Sequence, residues 1–235
     1  MAATPALRGL PEGDEKVRAV RAMFDAIAPK YERTNTVVSL GLDRRWRRET
    51  VRCLQLPSSS VVLDVAAGTG SLSEAAIRGG FRTLGLDLSA GMLAAGSTRA
   101  PLVLGDAAAL PLPDGVVDGV VCAFGLRNFA DLPACLAEMA RVLRGGGRVA
   151  LLEVGDPTRA LTRAGYAVWF ERVVPFLGGL LSDRDAYAYL PKSVRYLPDP
   201  PALRSILRTA GFSGVNRRLL SGGLAQLWCA TRAGR

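Results

Sequence analysis

The spacing of hydrophobic positions divides the chain into a helical start and a longer alternating part. In residues 12–30 apolar side chains recur at helical intervals up to Pro29. A second helical pattern begins near Asp43, a plausible N-cap, and carries arginines over most of its surface. The sequence therefore predicts a helical lid over residues 1–56, ahead of the main domain.

From residue 57 onward, short apolar runs alternate with helical patterns, which is typical of βαβ units in a parallel sheet. The five predicted strands cover residues 61–65, 83–87, 102–104, 119–123 and 148–154. The predicted core is 57–158, followed by a helical insertion over 159–200. Residues 201–235 then predict a last helix and a closing β-hairpin. We expect a single α/β domain with a mostly parallel, Rossmann-like sheet of seven strands.

A glycine-rich turn joins the first predicted strand to the first core helix. It runs from Asp64 to Gly70 and contains Gly68 and Thr69. Glycines let a ligand approach the backbone, and the following helix offers free N–H donors. Asp87 ends the second strand and Asp106 follows the third, so both should reach the edge where open α/β sheets bind ligands.

Two cofactor classes fit such a turn, a dinucleotide and S-adenosylmethionine. The dinucleotide pattern has a third glycine where this chain has Ser73, and it leaves Asp106 without a role. With S-adenosylmethionine, Asp87 would bind the ribose hydroxyls, while Asp106 and the Ala107 amide would orient the adenine. Asp64 and the Gly68–Gly70 backbone, with the Thr69 hydroxyl, would lie beside the methionine part. This favours the class I S-adenosylmethionine-dependent methyltransferase fold.

Composition excludes several chemistries. The chain has 235 residues and no histidine, so Ser-His-Asp and Cys-His catalysis cannot be built from it. Its four cysteines have no paired spacing, and we predict no metal site. The N-terminus lacks a signal pattern, and no apolar run is long enough to span a membrane. We therefore expect a cytoplasmic protein.

Several segments together resemble the ubiquinone and menaquinone biosynthesis C-methyltransferases over nearly the whole length. They are residues 24–35 (FDAIAPKYERTN), 39–47 (SLGLDRRWR), 124–128 (FGLRN), 141–153 (RVLRGGGRVALLE) and 189–199 (YLPKSVRYLPD). The chain departs from the family pattern at Glu32, at Gly145, at 154–157 and at 226–228, where a histidine often occurs. These departures also fit a paralogue that acts on another prenylated or aromatic ring.

The resemblance implies methyl transfer to a carbon of the reduced ring of a polyprenylated quinone precursor, with demethylmenaquinol as the substrate and menaquinol as the product. Arg127 could stabilise a developing phenolate or orient a water, and Asn128 could hydrogen-bond a ring oxygen. Tyr31, together with Asn35, could close over the ring. Trp46 is expected in the core, and the general base is not identified. The alternatives are methylation of another aromatic small molecule, an RNA methyltransferase and a non-catalytic scaffold.

The formal net charge of +9 is unevenly distributed. Residues 1–60 and 159–235 are net basic, whereas 61–158 are net acidic. The basic segment 44–52 and the apolar helix predicted over 161–181 could give transient contact with a membrane surface. A solvated basic face with a core or dimer helix explains them equally well, so a homodimer is left open. No recognisable RNA-binding module is present, and we expect no nucleic-acid partner.

Overall fold

A computed structural model describes residues 12–155, 157 and 193–234. The helices are α1 (Gly13–Ile27), α2 (Tyr31–Val38), α3 (Leu42–Cys53), α4 (Ser71–Arg78), α5 (Ala90–Ala94), α6 (Leu132–Val142) and α7 (Pro200–Thr209). The strands are β1 (Val61–Val65), β2 (Arg82–Asp87), β3 (Leu102–Leu104), β4 (Val117–Ala123), β5 (Leu143–Val154), β6 (Phe212–Leu220) and β7 (Ala225–Arg232).

The seven strands form one sheet in the order β3-β2-β1-β4-β5-β7-β6. Strands β1 to β5 pair in parallel, and β7 pairs antiparallel with both β5 and β6. The predicted sheet and closing hairpin are thus confirmed. Chain order reverses between β1 and β4, so the carboxyl ends of β1, β2 and β4 converge where ligands bind in open α/β sheets.

The sheet is covered on both faces, which explains why its central strands are continuously apolar. Leu63 belongs to a core cluster on one face, with residues of α6 and α7. Its neighbour Val62 belongs to a second cluster on the other face, with residues of α3 and α4. Side-chain caps fix the starts of α5, α6 and α7, supplied by Ser89, Asp131 and Asp199 respectively.

Two details of the N-terminal lid differ from the sequence prediction. The pattern predicted no separate helix at Tyr31–Val38, where α2 forms. Asp43 is not the N-cap of α3, because the helix begins after Gly41, whose φ of 74° reverses the chain. Asp43 lies inside the first turn, buried, where it accepts hydrogen bonds from Arg47 (2.7 Å) and Ser39 (2.9 Å).

The helix expected over 161–181 lies outside the described residues, as does most of the insertion 159–200. Within the described ranges, no helix is long and apolar enough to cross a membrane.

Cys53 of α3 and Cys229 of β7 form a disulfide with a Cα–Cα distance of 6.4 Å, which links the lid to the sheet. Nothing in the cysteine spacing indicated this pairing.

Candidate active site

A cavity of about 710 Å³ opens at the carboxyl ends of the parallel strands. Six of the ten site residues predicted from the sequence line it: Tyr31, Gly68, Asp87, Asp106, Ala107 and Asn128. The other four, Asp64, Thr69, Gly70 and Arg127, lie behind this wall among buried groups. The edge of the sheet has therefore gathered residues from five separate segments of the chain.

The glycine-rich turn has the backbone shape that the sequence suggested. Gly68 and Gly70 have φ values of 58° and 83°, in the left-handed region that favours glycine. A Cβ on Gly68 would lie 2.9 Å from the Met92 side chain, and one on Gly70 would overlap Thr98. The turn thus needs glycine both for its conformation and for the space beside it.

Asp87 holds this turn against the second strand. One carboxylate oxygen accepts the Gly68 N–H (2.7 Å), and the other accepts the Ser89 N–H (2.8 Å). Burial raises the pKa of Asp87 and the nearby Asp25 adds to the rise, while the backbone N–H donors oppose it. Each oxygen retains a second lone pair at the cavity wall, suited to a ribose hydroxyl.

The Asp87→Ala variant is expected to bind S-adenosylmethionine roughly tenfold to a hundredfold more weakly, since charge-assisted hydrogen bonds to the ribose are lost. Titration calorimetry measures this directly. Asp114→Ala, at an exposed acid outside the cavity, is the matched control and should bind normally. Unchanged affinity in a folded Asp87→Ala protein would remove the ribose assignment.

Asp64 offers a second test of cofactor fit. Its side chain is fully buried, Oδ2 accepts the Ser73 hydroxyl (2.6 Å), and Oδ1 has no hydrogen-bond partner among the described residues. Burial raises the pKa of Asp64 to about 7, against the lowering effects of Ser73 and Arg47. Together with Asp25 and Asp87, this carboxyl makes the region favourable for the sulfonium and ammonium of S-adenosylmethionine.

Cofactor binding should therefore depend on pH. Below about pH 7 the free protein holds a proton on Asp64, and a bound cation favours the carboxylate, so binding releases that proton. Affinity should rise with pH, by at most about tenfold per unit, and level off above the pKa. Calorimetry in buffers of different ionisation enthalpy measures the released proton. An Asp64→Asn protein should lose this dependence, and an equal slope in that variant would contradict the assignment.

The predicted adenine residues occupy a tight turn after β3. Asp106 is exposed, and its Oδ1 accepts the Ala108 N–H (2.9 Å). A backbone bridge between Asp106 and Ala109 closes the turn, and the buried Ala107 forms part of the cavity wall. This geometry suits a flat base lying against Ala107, and the roles of both residues stay predictions.

Of the two substrate-side residues predicted after β4, Asn128 is the one that lines the cavity. It follows Phe124, whose φ of 60° is strained for a residue with a side chain, and its Nδ2 donates to the Phe124 carbonyl (3.2 Å). Its Oδ1 is buried without a partner among the described residues. A buried acceptor of this kind calls for a donor, such as a hydroxyl of a bound ring.

Arg127 occupies a different environment from the one predicted. It is 6% exposed, lies outside the cavity lining and makes an ion pair with the fully buried Glu153. Its Nε also donates to the Ser193 hydroxyl (3.1 Å), and Glu153 accepts the Val154 N–H (2.8 Å). The guanidinium therefore joins the turn after β4 to the end of β5, and the geometry favours a positioning role over direct contact with a substrate.

The lid contributes an aromatic wall. Tyr31 lines the cavity in a T-shaped pair with Phe24, at 6.0 Å between ring centroids. Burial raises the pKa of the Tyr31 phenol, and a hydrogen bond with Asn35 lowers it in part. Asn35 is thus a hydrogen-bond partner of Tyr31, and it does not line the cavity itself. Trp46 is buried, as expected, and donates to Ser221 (2.9 Å).

Sequence reasoning did not identify the contacts that hold the lid in place. Glu32 accepts a short hydrogen bond from Thr69 of the glycine-rich turn, so that hydroxyl faces the lid. Asp25 accepts the Ser89 hydroxyl (2.5 Å) and the Gly91 N–H (2.8 Å). At the other end of α1, the buried Lys16 donates to the Phe129 carbonyl (2.7 Å).

Helix α1 therefore crosses the cavity, fastened at both ends. The side chains between the two anchors that line the cavity are Val17, Val20, Arg21 and Phe24. Lys16 also lies 3.6 Å from the Tyr196 ring centroid, and burial lowers the pKa of its ammonium to about 8. In sequence the signal was slight, because Lys16 and Asp25 resemble ordinary polar residues on an amphipathic helix.

Comparison with known proteins agrees with this geometry. The ubiE/COQ5 methyltransferase family matches residues 12–232. A protein named demethylmenaquinone methyltransferase from Mycolicibacterium vanbaalenii is 46% identical over 216 residues, covering 91% of this chain and 95% of the relative. A protein of the same name from Mycobacterium tuberculosis is 43% identical over 224 residues, covering 94% and 96%.

Solved structures show the same fold at low identity. A S-adenosylmethionine-dependent methyltransferase from Thermotoga maritima, described as a possible histamine N-methyltransferase, has a TM-score of 0.63 at 20% identity, covering 91% of this chain and 99% of its own. A Haemonchus contortus phosphoethanolamine N-methyltransferase in complex with S-adenosylmethionine has a TM-score of 0.56 at 14% identity, covering 79% and 52%.

The cavity, the glycine turn with its carboxylates and the full-length match lead to one assignment. The cofactor is S-adenosylmethionine, and the fold is that of the class I enzymes that use it. This chain is a S-adenosylmethionine-dependent methyltransferase that belongs to the ubiE/COQ5 methyltransferase family.

Proposed function

We propose that this enzyme methylates a ring carbon of a reduced, polyprenylated quinone precursor, converting demethylmenaquinol to menaquinol. The observation that carries the proposal is that Asn128 lines the same cavity as Asp87 and has a buried Oδ1 without a partner among the described residues. The names and high coverage of the two mycobacterial relatives support the substrate class.

The chemistry suits a protein without histidine. S-adenosylmethionine supplies a methyl group already activated on a sulfonium. In our proposal Asn128 accepts a hydrogen bond from a ring hydroxyl and so increases the electron density of the ring carbon that attacks. The cofactor would supply the methyl group to this carbon and would leave as S-adenosylhomocysteine, and the ring carbon would lose its proton to water.

Alignment is then the main task of the remaining residues. Tyr31 and Phe24 form an aromatic wall against which a ring can pack. Arg127 and Glu153 hold the turn that carries Asn128, and Asp87 holds the turn beside the cofactor. A proton acceptor of high basicity is unnecessary, because the ring becomes strongly acidic at the methylated carbon once the methyl group is attached.

Methyl-labelled S-adenosylmethionine tests the proposal. We expect label in a naphthoquinol of the demethylmenaquinone type when borohydride or dithionite keeps it reduced, and none in the oxidised quinone, which is a poor nucleophile. Simple phenols and RNA should remain unlabelled. Equal turnover of the oxidised quinone would refute the mechanism, and labelling of phenols or RNA alone would refute the substrate class.

A further inference from the structure

A basic surface with an apolar point lies at the turn between α2 and α3. It is formed by Arg33, Val37, Leu40, Arg44, Arg45 and Arg48, and we call it the basic tip. Leu40 is 69% exposed and Val37 is 42% exposed, and they are two of the five exposed large apolar side chains among the described residues. Arg33 and Val37 are i, i+4 neighbours on α2, and Leu40 lies in the turn that follows the end of that helix at Val38.

The four arginines of the basic tip carry uncompensated charge. All four are exposed, and within the described residues none makes an ion pair or hydrogen bond. The acids nearby are already engaged: Glu32 binds Thr69, Asp43 is buried with Arg47, and Glu49 pairs with Arg52 and Arg218. A surface anion would therefore meet four free guanidinium groups.

Leu40 is held outward by its backbone. Its φ of 53° lies in the left-handed region, which is unfavourable for a branched apolar residue, and no core cluster includes it. A polar residue such as asparagine would fit this turn better. The fold thus keeps an exposed leucine at a position where backbone preference and solvent both oppose it.

We propose that the basic tip docks the enzyme on an anionic lipid surface, with Leu40 and Val37 entering the bilayer interface between the arginines. Apolar insertion combined with attraction to anionic headgroups is the usual basis of interfacial binding. The inference rests on the proposed function, since a polyprenylated substrate resides in the bilayer. The tip is connected to the cavity through α2, which begins at the cavity residue Tyr31.

Sedimentation of the full chain with vesicles tests the docking. Wild-type protein should bind phosphatidylcholine vesicles that contain phosphatidylglycerol and should not bind pure phosphatidylcholine. Replacing Arg44, Arg45 and Arg48 by glutamine should weaken binding about a hundredfold, at roughly fivefold per charge. A matched triple variant, Arg78→Gln, Arg82→Gln and Arg208→Gln, loses the same charge elsewhere and should bind far more tightly than the tip variant.

Leu40→Asn separates docking from folding. Asparagine tolerates a positive φ, so the variant should be at least as stable as wild type, yet it should bind anionic vesicles about tenfold more weakly. The proposal would be overturned if the tip variants bound anionic vesicles as tightly as the wild-type protein does. It would also be overturned if the wild-type protein formed a dimer that Leu40→Asn dissociates. The same holds if the tip bound RNA and the protein did not bind vesicles.

A soluble substrate distinguishes this proposal from the proposed function. With a naphthoquinol that lacks a prenyl tail and without vesicles, the tip variants should turn over at the wild-type rate. If wild type methylates no quinol but still needs the tip to bind anionic vesicles, the substrate assignment fails and docking stands. If wild type methylates quinols and no variant alters vesicle binding, docking fails and the function stands.

Discussion

Glu153→Ala is expected to destabilise the fold by about 3–5 kcal/mol, because the guanidinium of Arg127 would be left buried without its counter-charge. Both side chains are almost completely excluded from solvent, so water cannot replace the lost partner. For a chain of this size the melting temperature should fall by roughly 10 °C. Thermal and urea unfolding measure both values.

A surface ion pair gives the matched control. Arg78→Ala breaks the pair with Glu74, where the arginine side chain is 75% exposed, and should change stability by less than about 1 kcal/mol. A loss in Glu153→Ala no larger than in Arg78→Ala would contradict the buried-pair interpretation.

The same pair decides between a positioning and a catalytic role for Arg127. A protein carrying both Arg127→Met and Glu153→Leu removes the two charges together and should recover most of the lost stability. If Arg127 only positions the turn, the kcat of this double variant should return to within about tenfold of wild type. A kcat that stays about a hundredfold low in the stable double variant would show that the charge acts on the reaction.

Asn128→Ala is expected to lower kcat by about a hundredfold while leaving the Kd of S-adenosylmethionine unchanged. The reason is that, in our proposal, the buried Oδ1 accepts a hydrogen bond from the ring hydroxyl, and loss of one preorganised group in a site has this scale. Asn128→Asp loses the N–H that binds the Phe124 carbonyl. Because it keeps an acceptor oxygen, it should retain more activity than Asn128→Ala. Single-turnover rates and calorimetry on the same samples measure the two quantities.

Asn216→Ala provides the control, since this asparagine is exposed on β6, far from the parallel strand ends. It should behave as wild type in both assays. An Asn128→Ala enzyme that turns over at full speed would end the claim that Asn128 contacts the substrate. A parallel loss of cofactor affinity and melting temperature would show instead that the residue mainly supports the Phe124 turn.

The cofactor half of the site was predictable from local sequence. Gly68 and Gly70 are required by backbone conformation, and Asp87 stands at the end of a short apolar run, so each carries its signal in its immediate neighbours. Strand order then follows from general rules for parallel sheets. The substrate half carried a weaker signal. Residues 124–126 and 128 line the cavity, whereas Arg127 does not, so the sequence placed the segment at the crevice without distinguishing its individual side chains.

The alternating α/β architecture, the closing hairpin and the acid-and-glycine pattern at the strand ends depend on spacing along the chain, so they can be predicted from the amino-acid order. Three sets of contacts became visible only in the folded protein: the ion pair of Arg127 with Glu153, the Asp25 and Lys16 hydrogen bonds that hold α1 across the cavity, and the Cys53–Cys229 disulfide. These contacts link residues between 26 and 176 positions apart. Whether a charged side chain is solvated, paired or anchored depends on which distant segment packs against it, and one sequence contains no local trace of that partner.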